Sequence, residues 1–194
     1  MNVTDLATHT EDWSLTRKYI PHFDRVLLVK TVHGSSANVQ ALLQYELNLF
    51  KHSENRWLLQ PVELYEIDQQ QVLLLEDFPG VPLHQFLTQP LSRHQFLTVA
   101  LELVNACIHL HQQGYLYQQL NPAHIFVHPS SLQVKLMTTA ALSKWKADVP
   151  NNDPTLLNSL EELRYIAPEQ TGRLQLEVDE RTDLYALGAI FMRC

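Results

Sequence analysis

Two cysteines in 194 residues, Cys107 and Cys194, are too few for a disulfide framework. A reducing cytoplasm is the compartment this implies. Cys107 falls in an apolar helical pattern and reads as a small buried hydrophobe. Positive charge is also short, with 14 Lys and Arg against 21 Asp and Glu and a net charge of −7. With no basic surplus to neutralise phosphates, nucleic acid is excluded as the default partner. No apolar run is long enough to span a bilayer, which excludes membrane insertion. The first residues, MNVTDLATHTEDW, carry acidic groups and no apolar core, so they do not read as a secretory signal. Glycine is scarce too, and the first one is Gly34. There is no internal repeat and no low-complexity tract. What remains is ordinary for a globular protein: 45% hydrophobic and 18% charged residues, enough to bury a core in one domain or two small lobes.

Local patterning orders the chain. Arg25 to Val32 is apolar and β-branched around a single Lys and reads as a strand. From Ser36 to Phe50, apolar residues at Val39, Leu42, Leu43, Leu47 and Phe50 have helical spacing. Pro61 to Ile67 and Gln71 to Glu76 read as two strands of a hairpin turned at Asp68 to Gln70. Pro79, Gly80 and Pro82 break the pattern, and Val81 to Leu87 opens a short helix. Ser92 to Gln113 predicts a long helix with Ser92 as N-cap and Gly114 as its stop. Phe126 to His128 and Gln133 to Met137 predict short strands around a turn. Ala147 to Ser159 is polar and proline-containing, hence a loop, and Arg181 to Met192 is a final apolar helix. This order predicts a small β-rich lobe followed by a helical one.

The stretch GYLYQQLNPAHIFV, Gly114 to Val127, resembles the catalytic loop of a protein kinase. That loop reads roughly H-R-D-L-K-P-x-N-I-L, its Asp accepting the substrate hydroxyl proton and its Asn holding a magnesium ion. Three further segments resemble the family in the order it requires. Lys30 in VLLVKTV stands where a strand lysine holds nucleotide phosphates. Glu46 in QYELNLF stands where a helix Glu pairs with that lysine. YIAPEQTGR from Tyr165, followed by DLYALG from Asp183, is similar to the end of the activation segment and the helix behind it. LLLEDFPG, Leu73 to Gly80, is similar to the hinge, which puts Glu76 and Phe78 at a nucleotide site together with Lys30 and Glu46. Pro168 to Phe191 resembles more narrowly the kinase-like module of large bacterial signalling proteins, where it is joined to a P-loop ATPase, a GAF sensor and often a histidine kinase.

On these matched positions the chemistry departs from the pattern. Gln119 stands at the Asp position, and a neutral amide cannot serve as a base. His124 stands at the Asn position, although magnesium prefers oxygen ligands. Thr138, Thr139 and Ala140 replace D-F-G, so no carboxylate remains for the metal. Tyr117, at the usual His position, reads as packing. His109 and His111 lie two apart on a helix, which predicts one packed and one exposed rather than a shared metal site. Glu161 and Glu162 stand where the family shows Gly-Thr. By resemblance Asp183 props the catalytic-loop backbone, and Glu169 pairs with an arginine that this chain does not contain. No glycine precedes Lys30, and between Tyr19 and Arg25 the chain offers only YIPHFDR, so a phosphate-covering loop is lacking, with little room for the two strands that frame it.

The expectation is therefore an α+β, protein kinase-like two-lobe fold. Its parts are an N-terminal tail over 1–14, a reduced β-rich N-lobe over 15–78 and a partial, truncated helical C-lobe over 79–194. A complete kinase domain is on the order of 250 residues. The stop at Cys194 implies a fragment, or an apolar face covered by a partner. The expected function is a degenerate kinase domain, a pseudokinase, serving as a regulatory or binding module in signal transduction. Its partner is a protein or a neighbouring ATPase, GAF or histidine kinase module. The alternatives are a weakly active ATP-dependent Ser/Thr kinase, and a truncated non-functional remnant. No cofactor is expected of the pseudokinase. ATP and magnesium are the cofactors the resemblance implies for residual activity.

Overall fold

A computed structural model describes residues 7–9, 13–33, 36–50, 55–139, 143–144, 162–172 and 177–194. The chain divides into two compact units, Met1–Pro79 and Gly80–Cys194. The expected loop at Ala147 to Ser159 lies outside the described residues, as do Glu161 and Ala140.

Among its described residues, the first unit has a five-stranded antiparallel sheet and one helix. Its strands are β1 (Ala7–His9), β2 (Trp13–Ile20), β3 (Arg25–Val32), β4 (Pro61–Ile67) and β5 (Gln70–Leu75), in the order β1-β2-β3-β5-β4, and α1 spans Ser36–Phe50. The sequence left little room for two strands ahead of Lys30. That expectation is corrected, because residues assigned to a tail pair in the sheet: Ala7 with Thr16, and Trp13 with Val32. The short polar strand β1 has no apolar run to announce it, and only its pairing with β2 makes it a strand.

β2 pairs with β3 along its whole length, from Trp13 opposite Val32 to Ile20 opposite Arg25. A 3-10 turn at Pro21–Phe23 joins them, and Asp24 closes it in a left-handed conformation with φ 50°. Asp24 is held there by its own side chain, which accepts the Tyr19 hydroxyl. The β4–β5 hairpin turns in two residues, Asp68 and Gln69, both with positive φ. This conformation suits the strand twist and shifts β5 one residue earlier than the sequence predicts. Side chains alternate across the sheet. Ile20, Leu27, Val29, Val72 and Leu74 form one apolar face, covered by Phe23, Val62, Tyr65 and Ile67. The opposite, inner face carries Leu15, Leu28, Lys30, Leu73 and Leu75, all essentially inaccessible to water.

The second unit is mainly helical. β6 (Val81–Pro82) leads into the single turn α2 (Leu83–Phe86), and the long helix α3 spans Arg93–Gln112. Ser92 caps α3 in a reciprocal box: Gln95 N donates to Ser92 Oγ at 3.3 Å, and Ser92 N donates to Gln95 Oε1 at 2.9 Å. Its buried stripe is Val99, Leu103, Ala106, Cys107 and Leu110. The chain leaves the helix through Gly114 at φ 77°, a conformation other L residues reach at a cost of roughly 1–2 kcal/mol. Strands β7 (Tyr115–Leu116), β8 (Ile125–Val127), β9 (Val134–Leu136) and β10 (Ser143–Lys144) follow. They form a β6-β8-β9 sheet and a β7-β10 pair. α4 spans Glu180–Phe191, is capped by Asp179 accepting from Arg181 N at 2.9 Å, and packs Phe191 edge-on against Phe96 of α3. No helix among the described residues is long and apolar enough to cross a membrane.

Candidate functional site

In the first unit, strand alternation puts Lys30 on the inner face, with Leu15 opposite it on β2 and Leu73 opposite it on β5. Helical spacing puts Glu46 of α1 on the same stripe as buried Leu43 and Leu47. Lys30 Nζ donates to Glu46 Oε1 at 2.8 Å and Oε2 at 2.6 Å, both side chains being at most 3% exposed. Burial raises the Glu46 carboxyl above the ordinary carboxylate range, and the Lys30 charge pulls it back. Such a pair is weak evidence of net stabilisation, because desolvation offsets the Coulomb gain. It does fix α1 to β3.

The two hinge positions are engaged within the same unit. Glu76 N donates to Gln60 O at 2.9 Å, and Glu76 Oε1 accepts from Gln60 N at 3.2 Å. Phe78 is buried, and its carbonyl accepts from Arg17 Nη2 at 2.7 Å. Arg17 Nε donates to Asp77 Oδ1 at 2.7 Å. Sequence reasoning missed Arg17. Its place on the inner face with Lys30 follows from the β2–β3 register, two positions along β2 from Leu15.

In the second unit the segment after β7 is braced by one carboxylate from α4. Asp183 accepts Tyr117 N at 2.9 Å, Gln118 N at 2.7 Å and His111 Nε2 at 2.8 Å, and is itself 1% exposed. Gln118 has φ 65°, and Gln119 N closes back on Tyr117 O at 2.8 Å, a positive-φ γ-turn of the rare, strained kind. The Gln118 carbonyl is held as well, accepting Gln170 Nε2 at 2.8 Å. Fully buried Tyr117 donates its hydroxyl to Met137 O. Asn121 Oδ1 accepts Ala123 N at 2.8 Å and His124 N at 3.3 Å, an Asn-built turn. His124 is buried with Nδ1 2.9 Å from Gln119 O. The same Nδ1 lies 3.2 Å from Asn121 Nδ2, so the Asn-built turn and the Gln119 carbonyl meet at this ring nitrogen. Met137 N donates to His124 O at 2.9 Å, which brings the start of the Thr138 segment against this loop. Gln119, His124 and Thr138 are thus gathered in the second unit, whereas Lys30, Glu46, Glu76 and Phe78 belong to the first.

Residues 21–194 match the protein kinase domain family. The chain belongs to that family. It is similar to serine/threonine-protein kinase Pkn1 of Myxococcus xanthus, with 30% identity over 121 residues, 61% of this chain and 17% of that protein. It is also similar to the DNA damage-responsive serine/threonine-protein kinase RqkA of Deinococcus radiodurans, with 33% identity over 120 residues, 61% of this chain and 15% of that protein. Eukaryotic translation initiation factor 2-alpha kinase 1 of Rattus norvegicus is 30% identical over 99 residues, 47% of this chain and 16% of that protein. The chain spans about a sixth of the length of the curated relatives it matches.

Among the described residues, the positions that resemble the family's magnesium ligands carry no carboxylate. A magnesium site uses one or two carboxylates in octahedral oxygen geometry. The matching positions here present a buried imidazole at His124 and buried hydroxyls at Thr138 and Thr139. The nearby carboxylate of Asp183 is committed to backbone donors. These residues do not fit the ion. Glu169 also has a neighbour that the sequence did not supply, accepting the Thr182 hydroxyl at 2.7 Å. His111 is packed against Asp183, while His109 meets Gln113 on the exposed side of α3. Burial, and secondarily the Asp183 charge, pushes the Cys107 thiol far up, as expected of an inert buried cysteine.

Proposed function

We propose that this kinase domain is non-catalytic, a pseudokinase acting as a regulatory or binding module in signal transduction. The observation that carries the reading is the loop at Tyr117 to His124. Its backbone is braced by Asp183 and Gln170, yet the side chain at the base position is the neutral amide of Gln119. Scaffolding of this kind supports presentation of a fixed surface, while the groups that would take a proton or a magnesium ion are absent from the matched positions. Its partner is a protein or an adjoining signalling module of the ATPase, GAF or histidine kinase kind, and its compartment the cytoplasm. One observation favours a weakly active Ser/Thr kinase instead: the buried Lys30–Glu46 pair is the arrangement nucleotide phosphates need. Phosphate transfer from ATP to a generic protein substrate decides between them. The non-catalytic reading expects no transfer above that of Lys30→Met. Transfer lost in Lys30→Met but kept in Gln119→Ala supports the unusual kinase. A cooperative melt of the purified chain argues against a non-functional remnant.

A further inference from the structure

Cross-strand register fixes two rows on the inner face of the first unit's sheet. One runs Leu15, Lys30, Leu73, and the next runs Arg17, Leu28, Leu75. The second row ends at Leu75, one residue before the hinge. By the resemblance that puts Lys30 and residues 76–78 at a nucleotide site, a nucleotide with its phosphates at Lys30 would lay its base along that second row. Arg17 already spans the row. Arg17 pairs with Leu28 across β2 and β3, and its guanidinium donates to Asp77 Oδ1 and Phe78 O, both at 2.7 Å. The arginine side chain is 12% exposed. Along the two rows Leu15, Leu28 and Leu75 are 0% exposed and Lys30 2%.

We infer that Arg17 is a built-in occupant of the hinge. It takes the Phe78 carbonyl as a hydrogen-bond acceptor, anchors on Asp77 and excludes an adenine base from the inner sheet face. The inference rests on the non-catalytic reading and supplies a physical reason for it in the first unit, independent of the loop chemistry in the second. The contact is charge-assisted and forked, so displacing it costs a ligand two hydrogen bonds and leaves a partly buried cation to be re-solvated. Adenine offers no compensating negative charge.

The test uses the whole purified chain with adenosine and with magnesium-free ATP as probes, read by thermal shift and ligand-observed NMR. Variants are Arg17→Ala, which opens the row, and Arg17→Met, which removes the donors but fills the space. Arg17→Ala is expected to bind adenosine about tenfold or more tighter than the wild type. Arg17→Met is expected to bind no better than the wild type. Equal adenosine binding by wild type and a cooperatively melting Arg17→Ala overturns the inference. If Arg17→Ala does not fold, Asp77→Ala is read in its place: a gain in adenosine binding supports the contact, and no gain overturns it. Phosphate transfer by the wild type, with the adenosine gain present, sinks the non-catalytic reading and leaves Arg17 in place. No transfer and no gain does the reverse.

Discussion

In the N-terminal unit a buried carboxylate, Glu46, faces a side-chain cation 2.6 Å away. In the C-terminal unit the buried carboxylate of Asp183 faces two backbone N–H groups and an imidazole. Both are almost inaccessible to water, and both tie a helix to a neighbouring segment. They differ in what can replace them. A side-chain pair can be exchanged for two apolar groups, because both charges leave together. Backbone donors stay in place under any substitution but proline, so the Asp183 contacts have no apolar side-chain exchange. Charge that holds backbone is therefore the harder to replace. In the loop it braces, Gln119 carries an uncharged side chain, and His124 and the adjoining Thr138 are buried.

The largest effect should come from Asp183→Ala. It leaves the N–H groups of Tyr117 and Gln118 buried without their acceptor, and a loss of roughly 3–5 kcal/mol is expected in denaturant unfolding. Asp183→Asn keeps one acceptor oxygen and should lose roughly 1–3 kcal/mol. If both lose nothing, the brace is not holding the loop. Glu46→Leu alone should also cost roughly 3–5 kcal/mol by stranding Lys30. The double variant Lys30→Met/Glu46→Leu should return to within about 1 kcal/mol of the wild type, or exceed it. Failure of that rescue would erase the contrast between the two carboxylates.

Acidity provides a finer distinction. Burial holds the Glu46 pKa above its unfolded value, so the folded state binds that proton more tightly. The stability contributed by this group is full below the unfolded carboxylate pKa and declines as pH rises through the raised folded value. The wild-type advantage over Glu46→Gln should shrink over that interval when both are unfolded in urea at a series of pH values. A difference that grows with pH instead would mean that Lys30 outweighs desolvation. The smallest effect belongs to Gln119→Ala. At this residue the described loop contacts are made by the backbone, through Gln119 N and Gln119 O. Its unfolding free energy should change by no more than about 0.5 kcal/mol. Larger losses would give the amide side chain a structural role.

Much of the fold was legible because its signals are local. The strand at Arg25–Val32 and the helix at Ser36–Phe50 follow from residue type and period, and the start of α3 from the Ser92 and Gln95 pair. Lys30 and Glu46 could be paired in advance because a lysine in an apolar strand needs a counter-charge. β1 was not legible, since Ala7–His9 carries no pattern of its own and is a strand only by pairing with β2. The two-residue β4–β5 turn was misplaced by one position because neither Asp68 nor Gln69 is the glycine that usually marks positive φ. Gln119, His124 and Thr138 were singled out by resemblance, whereas Arg17, Gln170 and Asn121 were not. Their partners lie in other strands or turns, or on backbone atoms that no side-chain pattern marks.

The sequence by itself determined the order of the main elements from Arg25 onward and the kinase family, because periodicity, capping and chemical type are properties of neighbouring residues. The tertiary structure alone decided that Arg17 reaches a carbonyl 61 residues away, that Asp183 braces donors 65 and 66 residues before it, and that Gln118 is held at positive φ. Those outcomes depend on strand register and helix placement. Distances between residues so remote in the chain are set only when the sheet and the helices have formed.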